Sequence, residues 1–310
     1  MQTLDDQRVR GHLVLVSGVQ SNEDGSLRAL DPALGRSLAN LIERPLARSS
    51  QHAAVIGPVD ESAVDHFCRE VLDQFTSMYG CDCFFVPLGR SLGDFSLLAM
   101  DMDSTVINIE CIDELADYIG KKTEVAAITA AAMRGEIKDY EESLRQRVRL
   151  LDGLEVKALD SLIDERLRIN PGAEELLTRA RSHGLHTMLV SGGFSPITDH
   201  VASKLGFDEV VCNTLGVEAG RFNGSVVGAV IDGPAKRAAV EDRCMQRSKP
   251  SSAAIVFGDG SNDIPMMQVA GMSVAYRAKP AVREVALARI DHGRLDSLLL
   301  AWDESLKAAV

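Results

Sequence analysis

Three short apolar runs constrain this chain more than any other feature: Leu97 to Met100 (LLAM), His186 to Val190 (HTMLV) and Ala253 to Phe257 (AAIVF). Each runs straight into Asp, Ser or Gly. A run of four or five residues without polar alternation suits a strand covered on both faces, as in a parallel sheet flanked by helices. Helix-like stretches separate the runs, as crossover connections would. The expected fold class is therefore α/β, with a Rossmann-like parallel sheet and Leu97–Met100 as a central strand. In open sheets of this kind ligands bind beyond the carboxyl ends of the strands. Asp101 and Asp103 fall at such an end. Two carboxylates in a poorly solvated site disfavour each other. A hard cation such as magnesium, which prefers oxygen ligands, removes that cost. Taken alone, the segment is explained equally well as a polar turn or a helix cap.

The 310 residues leave room for two domains, or for one core with a sizeable insertion. The formal charge of −12 argues against a general nucleic-acid or anionic-membrane binder, so no nucleic-acid and no membrane partner is expected. A small anionic substrate stays open, because a few local cations can hold one. The opening MQTLDDQRVR lacks a signal-peptide pattern, and no apolar run approaches a membrane span. Cys68, Cys81, Cys83, Cys111, Cys212 and Cys244 form neither a zinc pattern nor a secreted framework. Free buried thiols and a cytoplasmic location are expected. Alternation in a strand would put Cys81 and Cys83 on one buried face.

Residues 1–92 read as a small N-terminal α+β domain. HLVLVSG (12–18), HAAVIGPV (52–59) and CDCFFVPL (81–88) are the expected strands, with helical patterns between them. Its element order, and that alone, resembles the amino-acid-binding ACT domain, which would make it a regulatory module. A plain structural module, or a dimerising one that would make a homodimer, explains the order as well. Gly89 to Gly93 reads as a linker, and 93–310 as the catalytic domain. From about Cys111 to Arg168 the chain is rich in Ala, Leu, Glu and Arg, with breaks at Gly135 and Asp152-Gly153. A helical insertion after the first core strand would form a cap over the sheet edge, spanning about 109–168. Ser195 to Leu205 reads as a helix, and a further helix follows Pro234. EVVCNTLGVEAGRFNGSVVG reads as a β-hairpin turning at Asn223-Gly224.

On one parallel sheet the strand ends converge. The first supplies Asp101 and Asp103, the second Ser191 and Gly192, and the last Asp259, Asn262 and Asp263, while Lys236 opens the preceding helix. Oxygen ligands for one hard cation, a lysine and backbone donors for an anion are the parts that phosphoryl transfer needs. Singly, each has a plainer reading: Asp259 and Asp263 as helix caps, Ser191 in an ordinary turn, Lys236 on the surface, Glu110 and Arg147 on solvated helix faces.

In order, these residues resemble the motifs of the haloacid dehalogenase superfamily. Asp101-Met102-Asp103-Ser104-Thr105 matches its first motif, Ser191-Gly192-Gly193 its second, and Lys236 with Gly258-Asp259-Gly260-Ser261-Asn262-Asp263 its third and fourth. Within the superfamily the likeness is to the phosphoserine phosphatases. It runs from about Phe95 to near Leu298 and takes in Glu110, Ala132-Met133-Arg134-Gly135 and Ser143 to Val148. The chain departs from that family at Tyr140, where a phenylalanine and one residue fewer before it are usual, and at Ser261, where alanine is commoner.

The resemblance implies Asp101 as nucleophile, through an aspartyl-phosphate, and Asp103 as acid and then base. It implies Mg2+ held by a carboxylate oxygen of Asp101, the backbone carbonyl of Asp103, and Asp259, with Asp263 supporting its water shell. Ser191 and the Gly192 N–H would hold phosphate oxygens and Lys236 would offset charge. Asn262 would hydrogen-bond the phosphate or position the neighbours of Asp101. Arg147 can clasp a carboxylate, and Glu110 near a phosphate site makes sense only if the substrate also carries a positive charge. Phosphate, carboxylate and ammonium together describe phosphoserine, and the reaction would complete serine biosynthesis. Tyr140 and Met133 are expected to close the cap with apolar contacts. The rival readings are a same-fold phosphatase or phosphotransferase on another small ester such as phosphohomoserine, and a non-catalytic amino-acid sensor. A dehalogenase has no use for Asp103, and an ion pump would need membrane spans.

Overall fold

The structure, a computed structural model, describes residues 10–18, 27–42, 44–60, 66–133, 136–137 and 139–309. Arg134 and Gly135 of the expected cap motif lie outside the described residues, as does the side chain of Met133. The chain forms two compact units, one from residues up to Asp94 together with those from Ala288 onward, the other from Phe95 to Leu287.

In the first unit, β1 (Arg10–Ser17), helix Pro32–Leu41, β2 (Leu46–Ser49), β3 (Ala53–Asp60), helix His66–Tyr79 and β4 (Cys81–Pro87) follow in βαββαβ order. The sheet order is β2-β3-β1-β4, antiparallel throughout, which is the ferredoxin-like arrangement. Leu13, Leu15, Ala54 and Ile56 pack with Leu38 and Leu72 on one face, with Cys81 and, half-buried, Cys83. Alternate residues Val14, Val16, Val55, Phe84 and Val86 are buried as well. Helix Ser297–Ala308 packs on β1, β3 and β4, where His12 Nδ1 meets Ser305 Oγ at 2.9 Å. Cover on both faces explains why these strands read as unbroken apolar runs. The short strand β2, mostly exposed, carries no such signal and escapes the sequence reading.

The expectation of 93–310 as one domain differs from this at its end. SLLLAWDESLKA is amphipathic, and its Leu298, Ala301 and Trp302 are buried in the first unit. Asp82 ties the approach to that helix, accepting N–H bonds from Asp291 (2.9 Å), His292 (3.1 Å) and Gly293 (2.7 Å).

The second unit holds β5 (Leu97–Met100), β6 (His186–Phe194), β7 (Glu209–Glu218), β8 (Arg221–Val227), β9 (Ala254–Gly258) and β10 (Met272–Tyr276). They run in the order β10-β9-β5-β6-β7-β8, parallel as far as β7, with β8 antiparallel to it. Fully buried β5 lies at the centre, Met100 pairing with Leu189 on one side and Phe257 on the other. The β7–β8 hairpin turns at Ala219-Gly220, both left-handed at φ 49° and 77°, and not at Asn223-Gly224. Those two residues lie inside β8, so the local Asn-Gly preference yields to the register against β7.

Between β5 and β6 the chain forms a cap of helices Cys111–Asp117, Lys122–Met133, Tyr140–Arg149 and Ala158–Ser161, with a last turn at Leu162–Arg166. The two segments that lead into and out of it are clamped together. Ile107 pairs with Ile169, and Asn170 Nδ2 donates to the carbonyls of Thr105 (2.8 Å) and Ile107 (3.0 Å). The far side of the cap is tied to β8, Gly153 donating to Phe222 and Phe222 to Leu154.

Candidate active site

Asp101 is the first residue beyond β5, held by its N–H bond to the Phe257 carbonyl at 3.0 Å. Lys236 stands in the first turn of helix Gly233–Gln246, whose N-cap Asp232 accepts the Ala235 N–H at 2.8 Å. Fully buried, Lys236 donates to Asp101 Oδ1 at 2.5 Å and to Asp263 Oδ1 at 2.8 Å. The second oxygen of Asp263 accepts the N–H groups of Asp259 (3.1 Å) and Gly260 (3.0 Å). That close approach requires glycine at 258, where a Cβ would lie 2.5 Å from Asp263 Cγ.

One oxygen from each of Asp101, Asp259 and Asp263 lies within 4.8 Å of the others. Burial, then the neighbouring Asp263, pushes Asp101 well above the ordinary carboxylate range against the pull of Lys236. Asp259 is pushed up to about 7 by burial and by Asp263, with Lys279 opposing at 3.7 Å. Burial works against the charge on Lys236 too, but Asp101 and Asp263 outweigh it and hold its pKa above normal. Crowded buried carboxylates with too little positive charge fit a hard divalent cation. Both oxygens of Asp263 are engaged, which suits it to an orienting place behind Asp101 and Asp259.

Asp103 follows through a tight turn in which Ser104 takes the left-handed conformation (φ 57°), uncommon for a residue other than glycine. Asp103 Oδ2 accepts the Cys111 N–H at 3.1 Å, while buried Oδ1 has no partner among the described residues. Burial, with Glu110 adding to it, pushes Asp103 up to about 7. Ser104 Oγ donates to Glu110 Oε1 at 2.9 Å.

A cavity of about 420 Å³ opens above these groups. Of the residues expected at the site, Asp101, Asp103, Glu110, Arg147, Ser191, Gly192, Asn262 and Asp259 line it. Lys236 and Asp263 lie behind its wall, fully buried. Ser191 Oγ accepts the Gly193 N–H at 2.9 Å. Arg147 comes from helix Tyr140–Arg149, donates to the Ser143 carbonyl at 3.3 Å, and forms no close ion pair among the described residues, although its charge acts on Asp113.

Sequence reasoning missed three residues here. Lys279 lines the cavity and faces Asp259, but in RAKP it reads as a loop lysine. Asp113 lines it near Glu110 and Arg147, with Oδ1 buried and unpartnered among the described residues. Its place in the first turn of helix Cys111–Asp117 gives an ordinary N-terminal acid signal. Asn213, fully buried, has no local signal at all. Its Nδ2 donates to the Gly192 carbonyl (2.8 Å) and its Oδ1 accepts the Ile231 N–H (2.8 Å).

A helical cap of this kind, inserted straight after the central strand and roofing an edge rich in carboxylates, places the second unit among the capped α/β hydrolases. The chain belongs to the haloacid dehalogenase-like hydrolase family, whose profile matches residues 98–268. It is 51% identical over 219 residues to a phosphoserine phosphatase of Albidiferax ferrireducens, covering 69% of this chain and 92% of that protein. Among solved structures, a probable phosphoserine phosphatase from Vibrio cholerae, unliganded, superposes with a TM-score of 0.76 at 28% identity. That match covers 96% of this chain and 88% of the other. A substrate-bound phosphoserine phosphatase matches with a TM-score of 0.62 at 35% identity, over 66% of this chain and 97% of that one. Among the described residues no helix is long and apolar enough to cross a membrane.

Proposed function

We propose that this enzyme hydrolyses O-phospho-L-serine to L-serine and phosphate in the cytoplasm, as the last step of serine synthesis, with Mg2+ as its cation. The observation that carries this reading is the pairing of opposite charges in one cavity. Glu110 and Arg147 both line the wall that Asp101 shares with the Ser191-Gly192 loop. An ester with an ammonium and a carboxylate beside its phosphate matches all three. The phosphoserine phosphatases among its relatives support the same substrate.

In this reading an Asp101 oxygen attacks phosphorus and the bond from phosphorus to the serine oxygen breaks, leaving an aspartyl-phosphate. Asp103 gives its proton to the departing serine oxygen, a task suited to an acid whose pKa lies near neutrality. It then takes a proton from the water that attacks phosphorus, so that phosphate leaves and Asp101 is restored. Lys236 keeps Asp101 oriented and offsets its charge, while Ser191, Gly192 and Asn262 hold phosphoryl oxygens. The cation, held by Asp101, Asp259 and the Asp103 carbonyl with Asp263 behind them, would neutralise phosphoryl charge.

The test is phosphate release from a panel of phosphorylated metabolites, with and without magnesium. Phosphoserine is expected to give the highest kcat/KM, and only with the cation. Preference for another ester, phosphohomoserine among them, overturns the substrate. No release from any ester would leave an amino-acid sensor.

A further inference from the structure

Tyr140 is the first residue of helix Tyr140–Arg149, set by the side chain of Asp139, which accepts the Glu141 N–H at 3.0 Å. An aromatic ring here would close the cap by apolar contact, and a phenylalanine would serve as well. The hydroxyl is placed for something else. A Cβ built on Gly192 would stand only 2.4 Å from Tyr140 Oη and 3.8 Å from Asn262 Nδ2. The phenol, the Asn262 amide and the glycine loop after β6 therefore converge on one spot in the cavity that Asp101 lines. Among the described residues Tyr140 Oη has no hydrogen-bond partner. A phenol that reaches a polar cavity without a protein acceptor can donate to an oxygen of a ligand bound there. Burial raises its pKa, with Lys236 and Arg147 opposing, so it remains a protonated donor at neutral pH.

We propose that Tyr140 Oη donates a hydrogen bond to a non-bridging oxygen of the substrate's phosphoryl group, so that the cap itself supplies a phosphate ligand beside Ser191, Gly192 and Asn262. This rests on the reading of the site as one for phosphate esters, and it does not depend on which ester is preferred. The cap then responds to the phosphoryl group that all substrates share. Glu110 and Arg147, also on the cap side, answer to the amino-acid end.

The test is Tyr140→Phe, which keeps the ring and removes only the hydroxyl. Inorganic phosphate is titrated calorimetrically into wild type and variant with magnesium present. A hydrogen bond to a charged oxygen predicts a Kd weaker by roughly ten- to a hundredfold. kcat/KM should fall by a similar factor on both phosphoserine and p-nitrophenyl phosphate. A phosphate Kd within twofold of wild type overturns the proposal, and so does a loss confined to phosphoserine. If the wild type proves to prefer another ester, the phosphoserine reading fails while the phosphate titration still decides the role of Tyr140.

Discussion

Glu110 stands at the N-cap position of helix Cys111–Asp117 without a side-chain capping bond, and receives a hydrogen bond from Ser104, whose left-handed turn brings its hydroxyl round to it. Its carboxylate lines the cavity close to the acidic side chains of Asp103 and Asp113. Three acids on one wall suit a substrate that brings a positive charge. Glu110→Gln keeps the shape and removes the charge, so kcat/KM for phosphoserine should fall by roughly one to three orders of magnitude. Phosphoglycolate, which has no amine, should lose far less. Steady-state kinetics on both esters at saturating magnesium checks this, and equal losses would assign Glu110 to the cap or the cation site instead. Glu110 was legible only through the family resemblance, because a lone acid before a helix is otherwise a cap. Asp113 was not legible, since nothing local separates it from the many acids in first turns.

At the scale of elements, one side chain on β7 joins two segments of the candidate site. Asn213 binds the Gly192 carbonyl in the loop after β6 and the Ile231 N–H just before the helix that carries Lys236. Asn213→Ala would leave both backbone groups buried and unpaired, at a cost of about 1–3 kcal/mol. Turnover should drop about tenfold or more at temperatures where the variant is fully folded, with the phosphate Kd weakened alongside. Retained turnover in a merely less stable protein would reduce Asn213 to a packing role. In the first unit the corresponding element is helix Ser297–Ala308, which covers the second face of the sheet. Trp302 is 2% exposed there, and Trp302→Ala should cost about 3–5 kcal/mol, read as a lowered midpoint in denaturant unfolding. A change below about 1 kcal/mol would mean that the helix contributes little to that core.

At the scale of the whole molecule, a chain of formal charge −12 gathers three of its carboxylates around one buried lysine. That concentration of charge predicts that stability and activity depend on a cation together. Chelation should abolish phosphate release and lower the thermal midpoint by several degrees, since a ligand at a hundred times its Kd stabilises by about 2.7 kcal/mol. Magnesium should restore both. Thermal unfolding and phosphate release with chelator, and then with magnesium added back, check it. An unchanged midpoint with full activity after chelation would remove the cation from the site.

What the sequence by itself determined is what short stretches encode. LLAM, HTMLV and AAIVF become buried parallel strands because runs without polar alternation must be covered on both faces, and the motifs fall at their carboxyl ends because the strands stop there. Its order of elements also placed the cap after the first core strand. Tertiary structure alone decided which distant residues meet. Lys236 reaches Asp101 across 135 positions, and Asn213 reaches Gly192 across 21. It moved the hairpin turn from Asn223-Gly224 to Ala219-Gly220 and sent SLLLAWDESLKA to the first unit's sheet. It also turned the Tyr140 hydroxyl toward Gly192. The reason is physical: conformational preference and hydrophobic period act over a few residues. The partner of a buried polar group, or the apolar face that a helix finds, is settled only when the whole chain packs.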